Sequence, residues 1–134
     1  MASIKILLAE DDGDDRTFFY DFLKERKDIV LLPPAENGVE VFHYLEKVDT
    51  SAYPDAIILD QNMPKRNGLQ TLQLLKSTNR FSKIPVVVYS TYTDENLIQE
   101  SLRSGATLVC PKPVTSEGYN NMINVLLEKI TAPE

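Results

Sequence analysis

The chain has 134 residues, enough for one domain with a single sizeable core, and its 43% hydrophobic and 25% charged content is that of an ordinary globular protein. The net charge of −6 argues against binding to nucleic acid, since a duplex-DNA binder requires a basic surface, and favours a cation site instead. The single cysteine excludes an internal disulfide, and without a signal-peptide pattern or an apolar run near the ~18 residues of a membrane span we expect a cytoplasmic protein that contacts no membrane.

Strand and helix patterns alternate five times along the chain. Short apolar runs predict strands over residues 4–9, 29–32, 56–59, 86–89 and 107–110. Apolar residues at helical spacing predict helices over residues 14–27, 38–48, 68–77, 93–104 and 115–130. The apolar stripe of the first helix comprises Phe18, Phe19, Phe22 and Leu23, and Gly105 is the expected C-cap of the fourth helix.

This alternation predicts one parallel sheet with helices on both faces. Pro33 and Pro34 follow the second strand and remove donors from its ladder, so that strand belongs at an edge of the sheet. The predicted fold is therefore α/β, a flavodoxin-like (βα)5 three-layer sandwich with strand order 2-1-3-4-5. We expect residues 1–134 to form a single domain.

Three carboxylates are predicted to meet at one edge of this sheet. Asp60 ends the third strand, and Glu10 and Asp11 follow the first, which is its neighbour. Carboxylates ~5 Å apart repel by roughly 3 kcal/mol per pair at an effective dielectric constant near 20, so either one holds a proton or a cation lies between them. Oxygen ligands at a partly open site suit Mg²⁺, with Mn²⁺ as an alternative ion.

Two further polar groups are predicted at the same edge. Ser90 ends the fourth strand, and Lys112 follows the fifth between two prolines that restrict its backbone. A hydroxyl, an ammonium and a divalent cation around one carboxylate form a site for a phosphoryl group on that carboxylate, because the cation and the lysine neutralise the charge of the transferred group.

Several motifs in order identify the family that the chain resembles. They are Ile-Leu-Leu-Ala-Glu10-Asp11, Leu59-Asp60-Gln-Asn62-Met63-Pro64-x-x-x-Gly68, Pro85-Val-Val-Val-Tyr-Ser90, Ser104-Gly105-Ala106 and Lys112-Pro113. Over nearly its whole length the sequence resembles a receiver domain of the two-component response regulators. The resemblance implies a phosphorelay signalling protein that is not an enzyme and has no output domain.

The resemblance implies roles for the acidic residues and their neighbour. Asp60 would be the phosphoacceptor. Asp11 would ligate Mg²⁺ directly together with Asp60, and Glu10 would act mainly through water. The main-chain carbonyl of Asn62 would be a further ligand.

The resemblance also implies how the phosphoryl group is held. Ser90 would be the switch hydroxyl, with Thr91 beside it, and Lys112 would bind the phosphoryl oxygens. The peptide bond from Lys112 to Pro113 is usually cis in the family. The implied partners are a sensor histidine kinase or a histidine phosphotransfer protein, and a downstream protein target.

Two residues depart from the family pattern. Val109 occupies the middle of the fifth strand, where the family often has a Tyr or Phe that swings inward with the switch hydroxyl. Tyr92 is bulky at a position that influences access of water to the phosphoryl group. The chain looks most like the small stand-alone receivers that partner bacterial phytochrome-type sensor kinases. A second copy of the chain, bound as a homodimer through the fourth helix, fifth strand and fifth helix, is a further possible partner.

Two other functions are compatible with an acidic site at a sheet edge. A small Mg²⁺-dependent phosphatase would use Asp60 as nucleophile, but Asn62 stands where haloacid-dehalogenase-like phosphatases have a general acid. A flavodoxin-like binding module would need a phosphate-binding first turn, and here that turn is rich in carboxylates.

Four residues have simple structural interpretations. His43 is expected on the surface of the second helix and Cys110 in the core as a small hydrophobic residue. Asp14 and Asp15 are expected to stabilise the N-terminus of the first helix through its dipole.

Overall fold

Five parallel strands form the sheet of the computed structural model, which describes residues 3–131. The strands are β1 (Ile4–Ala9), β2 (Ile29–Leu31), β3 (Ala56–Asp60), β4 (Val86–Ser90) and β5 (Leu108–Pro111). Their order is β2-β1-β3-β4-β5, so the predicted topology and the edge position of β2 are confirmed.

Five α-helices alternate with these strands. They are α1 (Gly13–Leu23), α2 (Gly38–Lys47), α3 (Gly68–Ser77), α4 (Glu95–Arg103) and α5 (Ser116–Thr131), and a short 3-10 turn, Thr50–Ala52, that the sequence did not predict precedes β3. None of the helices within residues 3–131 has both the length and the apolar character needed to cross a membrane.

The sheet separates two hydrophobic layers. Alternate strand residues such as Leu7, Ile57 and Val88 pack with residues of α2 and α3 on one face. Their neighbours Ile58 and Val87 pack with residues of α1 and α5 on the other. All five residues of β3 and of β4 are buried because both faces of the central strands are covered, which is why these strands are near-continuous apolar runs.

Helix α1 differs from its predicted extent. It ends at Leu23 rather than at residue 27, and its buried residues are Phe19 and Leu23, one helical turn apart. Phe18 was predicted to face inward, but it is 48% exposed and stacks on Phe22 with 6.0 Å between the ring centroids. The prediction was wrong because Phe18 lies about 100° round the helix from Phe19, beyond the surface that α5 covers.

The turn between β3 and α3 is held close to the end of the strand. A Cβ atom on Gly68 would lie 2.8 Å from the carbonyl oxygen of Asp60, so only glycine permits this approach. The side-chain oxygen of Gln61 accepts a hydrogen bond of 2.8 Å from the amide of Leu69, and Asn67 caps α3 through a capping box with Gln70. Helix α3 therefore begins immediately beside Asp60.

Candidate functional site

The candidate site lies at the carboxyl ends of four neighbouring strands. The register pairs Ala9 with Leu59 and Asp60 with Tyr89, and it pairs Ser90 with Pro111. Because these strands end level with one another, Glu10, Asp60, Ser90 and Lys112 come together at one edge of the sheet, as predicted from the sequence.

The three predicted carboxylates form a compact cluster. One oxygen each of Glu10, Asp11 and Asp60 lies within 4.8 Å of the other two. Glu10 and Asp60 are 0% and 2% exposed, whereas Asp11 faces solvent. Burial, together with the hydrogen bond and charge of Glu10, raises the pKa of Asp60 to about 7 despite the opposing effect of Lys112.

This cluster fits a hard divalent cation. Its donors are all oxygen atoms, one carboxylate is open to solvent, and two buried carboxylates repel each other unless positive charge or a proton lies between them. Mg²⁺ prefers such a site, since it takes one or two carboxylates and keeps several of its waters.

Lys112 provides positive charge beside both Asp60 and Glu10. Its ammonium nitrogen lies 3.1 Å from Oε1 of Glu10, 2.9 Å from Oδ2 of Asp15 and 3.4 Å from Oδ2 of Asp60. Burial alone lowers the pKa of Lys112, but the hydrogen bond to Asp15 and the charges of Asp60 and Glu10 outweigh it, so the pKa is raised. Lys112 is thus a largely buried, fully charged member of the site and not a solvated loop lysine.

The backbone of Lys112 is positioned by the sheet. Its amide donates a hydrogen bond of 2.8 Å to the carbonyl oxygen of Ser90, which extends the pairing of β4 with β5. The expected cis bond to Pro113 is wrong, since every peptide bond within residues 3–131 is trans. The trans form of an X–Pro bond is favoured by about 0.5–1 kcal/mol, and here it already allows the ammonium to reach Asp60.

Ser90, at the end of β4, and Tyr92, in the loop that follows, line a polar cleft. Ser90 is 2% exposed, and its hydroxyl oxygen accepts a hydrogen bond of 3.2 Å from the amide of Tyr92. Tyr92 is 74% exposed, and Thr91 is also exposed. The cleft, of about 300 Å³, is lined by Gln61, Asn62, Leu69, Ser90, Tyr92, Asp94, Asn96 and Leu97.

Asn62 contacts Asp60, whereas Val109 lies in the middle of β5. The amide of Asn62 donates to Oδ1 of Asp60 at 3.4 Å, so the turn after β3 holds this carboxylate. Val109 pairs with Val88 in the middle of β5 and is half-buried, so an aliphatic side chain does stand at the position where the family often has an aromatic one.

Sequence reasoning missed the contributions of Tyr89 and Asp15. The hydroxyl of Tyr89 donates a hydrogen bond of 2.7 Å to Oε1 of Glu10, and the ring lies 5.3 Å from the ammonium of Lys112. Asp15, expected only to favour the helix dipole, also accepts from Lys112, while Asp12 is the N-cap of α1. The available signal for Tyr89 was a polar residue at the end of a strand of valines.

His43 and Cys110 lie where the sequence predicted them. His43 is exposed on α2. Cys110 is partly buried and packs against the α1 and α5 layer, and burial raises the pKa of its thiol to about 11. Such a thiol stays protonated and is a poor nucleophile.

Comparisons with known proteins agree with this arrangement. The family model described as the response regulator receiver domain matches residues 6–124. The chain is 29% identical over 126 residues to the chemotaxis protein CheY1 of Helicobacter pylori strain J99, covering 92% of this chain and 97% of that protein.

Solved structures show the same likeness. The phosphorylated cyanobacterial phytochrome response regulator RcpA superposes with a TM-score of 0.81 at 27% identity, covering 98% of this chain and 96% of that one. The Mn²⁺-bound form of response regulator Rcp1 superposes with a TM-score of 0.79 at 24% identity, covering 98% and 97%. At 24% identity, the likeness to Rcp1 shows a shared fold only.

Proposed function

This chain belongs to the response regulator receiver domain family of two-component signalling, and on that premise we propose that Asp60 is its phosphoacceptor. The observation that carries the proposal is that Asp60 lies beside both a carboxylate cluster and a lysine. One oxygen each of Glu10 and Asp11 lies within 4.8 Å of an Asp60 oxygen, and the ammonium of Lys112 lies 3.4 Å from Asp60. A phosphoryl group on Asp60 would thus have a cation site and a lysine beside it.

The proposed donor is the phosphohistidine of a sensor histidine kinase or of a histidine phosphotransfer protein. An oxygen of Asp60 attacks the phosphorus, an acyl phosphate bond forms, and the bond from phosphorus to the imidazole nitrogen breaks. The leaving imidazole takes up a proton. This reaction requires Asp60 in its carboxylate form. Burial and the charge of Glu10 disfavour that form, and the positive charge of Lys112 partly offsets them.

The proposed metal is Mg²⁺, or Mn²⁺ in its place. Asp11, Asp60 and the main-chain carbonyl of Asn62 would hold it directly, and Glu10 would do so through water. When bound, the ion supplies positive charge for the phosphoryl oxygens and relieves the repulsion between the carboxylates. The cluster of three oxygens supports this assignment.

The proposed output is a changed protein-binding surface. Ser90, with Thr91 beside it, would donate to the phosphoryl group and draw the 90–92 loop towards Asp60. Lys112 would follow the phosphoryl oxygens and move the start of the segment that contains Pro113. Exposed Tyr92 would report the movement, and Val109 would limit it because no aromatic ring can turn inward there.

We further propose that the chain acts in the cytoplasm as a switch and not as an enzyme. Its proposed partners are a cognate kinase, which supplies the phosphoryl group, and one downstream protein. An alternative downstream partner is a second copy of the chain, bound through α4, β5 and α5. Neither the phosphatase nor the flavodoxin-like binding module finds support in the comparisons, and Asn62 offers no acid for phosphatase chemistry.

The experiment is incubation with Mg²⁺ and acetyl phosphate, followed by intact mass spectrometry and a measurement of free phosphate. A receiver gains one phosphate per chain with little release. A protein that releases phosphate over many cycles while its mass stays unchanged would be a phosphatase, and one that does neither would not be a phosphoacceptor.

A further inference from the structure

Lys112 is enclosed by carboxylates in the unphosphorylated protein. An ammonium has three N–H donors and no acceptor. Three carboxylates surround it, with Asp15 at 2.9 Å, Glu10 at 3.1 Å and Asp60 at 3.4 Å. Asp15 therefore makes the shortest of the three contacts, although it lies on α1 and outside the carboxylate cluster.

A phosphoryl group on Asp60 changes this balance. It brings three strong acceptor oxygens and about −1.5 to −2 charges to the neighbourhood of Lys112. The ammonium donates hydrogen bonds to Asp15 and Asp60 and forms an ion pair with Glu10. Its contact with Asp60 can pass to a phosphoryl oxygen, but a second contact with the phosphoryl group requires Lys112 to move away from Asp15 or Glu10.

Glu10 is the more costly partner to release. Its side chain is 0% exposed, and it is held by the Tyr89 hydroxyl at 2.7 Å and by the amide of Asp12 at 3.2 Å. Removing the ammonium from it would leave a carboxylate charge that is buried and only partly compensated.

Asp15 is the less costly partner to release. Its side chain is 25% exposed and lies in the first turn of α1. On leaving Lys112 it would gain water, and it would still be stabilised by the positive end of the helix dipole.

We propose that Asp15 is a positioning residue that holds Lys112 in the unphosphorylated state and is displaced by the phosphoryl group. This inference rests on the proposed function of Asp60. Asp15 competes with the phosphoryl group for one ammonium, so it lowers the affinity of the site for that group. Its release also links phosphorylation to the first turn of α1, in addition to the loop after β4.

The test compares two neighbouring substitutions that remove the same charge. Asp15→Asn and Asp14→Asn both lie in the first turn of α1, but Asp14 is exposed and is not among the ion-pair partners of Lys112. Each variant and the wild type are titrated with beryllofluoride in saturating Mg²⁺, and the dissociation constant is read from amide chemical shifts. We expect Asp15→Asn to bind about threefold to tenfold more tightly than the wild type, and Asp14→Asn to bind within about twofold of it.

A double-mutant cycle isolates the contact with Lys112. In a Lys112→Ala background, proteins with and without the Asp15→Asn substitution should bind beryllofluoride about equally, since the ammonium for which Asp15 competes is absent. In the wild type, amides 13–17 should exchange faster with beryllofluoride than without it. In Asp15→Asn their exchange should be nearly the same in both conditions.

The outcomes separate this proposal from the function on which it rests. If the wild type does not bind beryllofluoride in Mg²⁺, the proposed function fails. If the wild type binds but Asp15→Asn binds no more tightly than Asp14→Asn, the function stands and the role of Asp15 is wrong. Equal tightening by both substitutions would also overturn it, because the effect would then be one of net charge.

Discussion

Tyr89 and Glu10 are joined by a hydrogen bond of 2.7 Å between the tyrosine hydroxyl and Oε1 of the carboxylate, and both side chains are fully buried. The ammonium of Lys112 forms an ion pair with the same oxygen of Glu10 at 3.1 Å. A buried carboxylate is tolerated only where its acceptors are satisfied. Tyr89 therefore helps to hold the inner wall of the site in the absence of any ligand.

Tyr89→Phe should lower the free energy of unfolding by about 1–3 kcal/mol, because it leaves a buried acceptor without one of its donors. Urea unfolding without metal measures this. Tyr92→Phe is the matched control, since Tyr92 is 74% exposed and its hydroxyl should be replaceable at a cost below about 0.5 kcal/mol. Equal stability of Tyr89→Phe and the wild type would mean that the hydrogen bond is not needed to hold Glu10.

The raised pKa of Asp60 predicts a specific dependence of stability on pH. With a pKa of about 7 in the folded protein and an ordinary value in the unfolded chain, folded Asp60 keeps a proton between about pH 4 and 7 that the unfolded chain has lost. Unfolding then releases a proton, so the free energy of unfolding falls as the pH rises through this window, by about 1.4 kcal/mol at most for each unit of pKa difference.

Asp60→Asn isolates this contribution. Urea unfolding at pH 4.5, 6 and 7.5 without divalent ions should show the substitution becoming more stabilising relative to the wild type as the pH rises. Every other titrating group is common to the two proteins. A difference in stability that stays constant with pH would show that Asp60 ionises at its ordinary pKa.

The predicted sheet order, and the meeting of Asp60 with Glu10, Ser90 and Lys112, followed from the alternation of strand and helix patterns, from the edge position that Pro33 and Pro34 give to β2, and from the rules for parallel sheets. Parallel strands that end level with one another bring their next residues together whatever the side-chain details. The contacts of Tyr89 and Asp15 were not predictable in this way. They depend on the direction of long side chains across two or three elements, and Phe18 was misplaced because a helical stripe does not show where the neighbouring helix ends.

Millimolar Mg²⁺ should raise the melting temperature of the wild type by mass action, because the folded state alone holds the three oxygens together. Asp11→Asn should lose most of this increase, since Asp11 is the solvent-facing carboxylate of the cluster. Differential scanning calorimetry measures both. An unchanged melting temperature in the wild type, or an equal increase in Asp11→Asn, would argue against the metal site.

Hydrogen exchange with and without beryllofluoride should show how the signal leaves the site. We expect changes in residues 90–113 and α5 together with the first turn of α1, and Lys112→Ala should reduce the changes in 90–113 while still permitting some phosphorylation. Changes centred on α1 and α2 with the 90–113 segment silent would contradict the route through Ser90 and Lys112. A Lys112→Ala protein that responds like the wild type would remove Lys112 from the switch.

The most direct test of the account is the mass of the protein after incubation with Mg²⁺ and acetyl phosphate, compared between the wild type and Asp60→Asn. We predict that the wild type gains one acid-labile phosphate per chain and that Asp60→Asn gains none while keeping its fold by circular dichroism. An Asp60→Asn protein that still takes up phosphate would contradict the assignment of Asp60 as the phosphoacceptor.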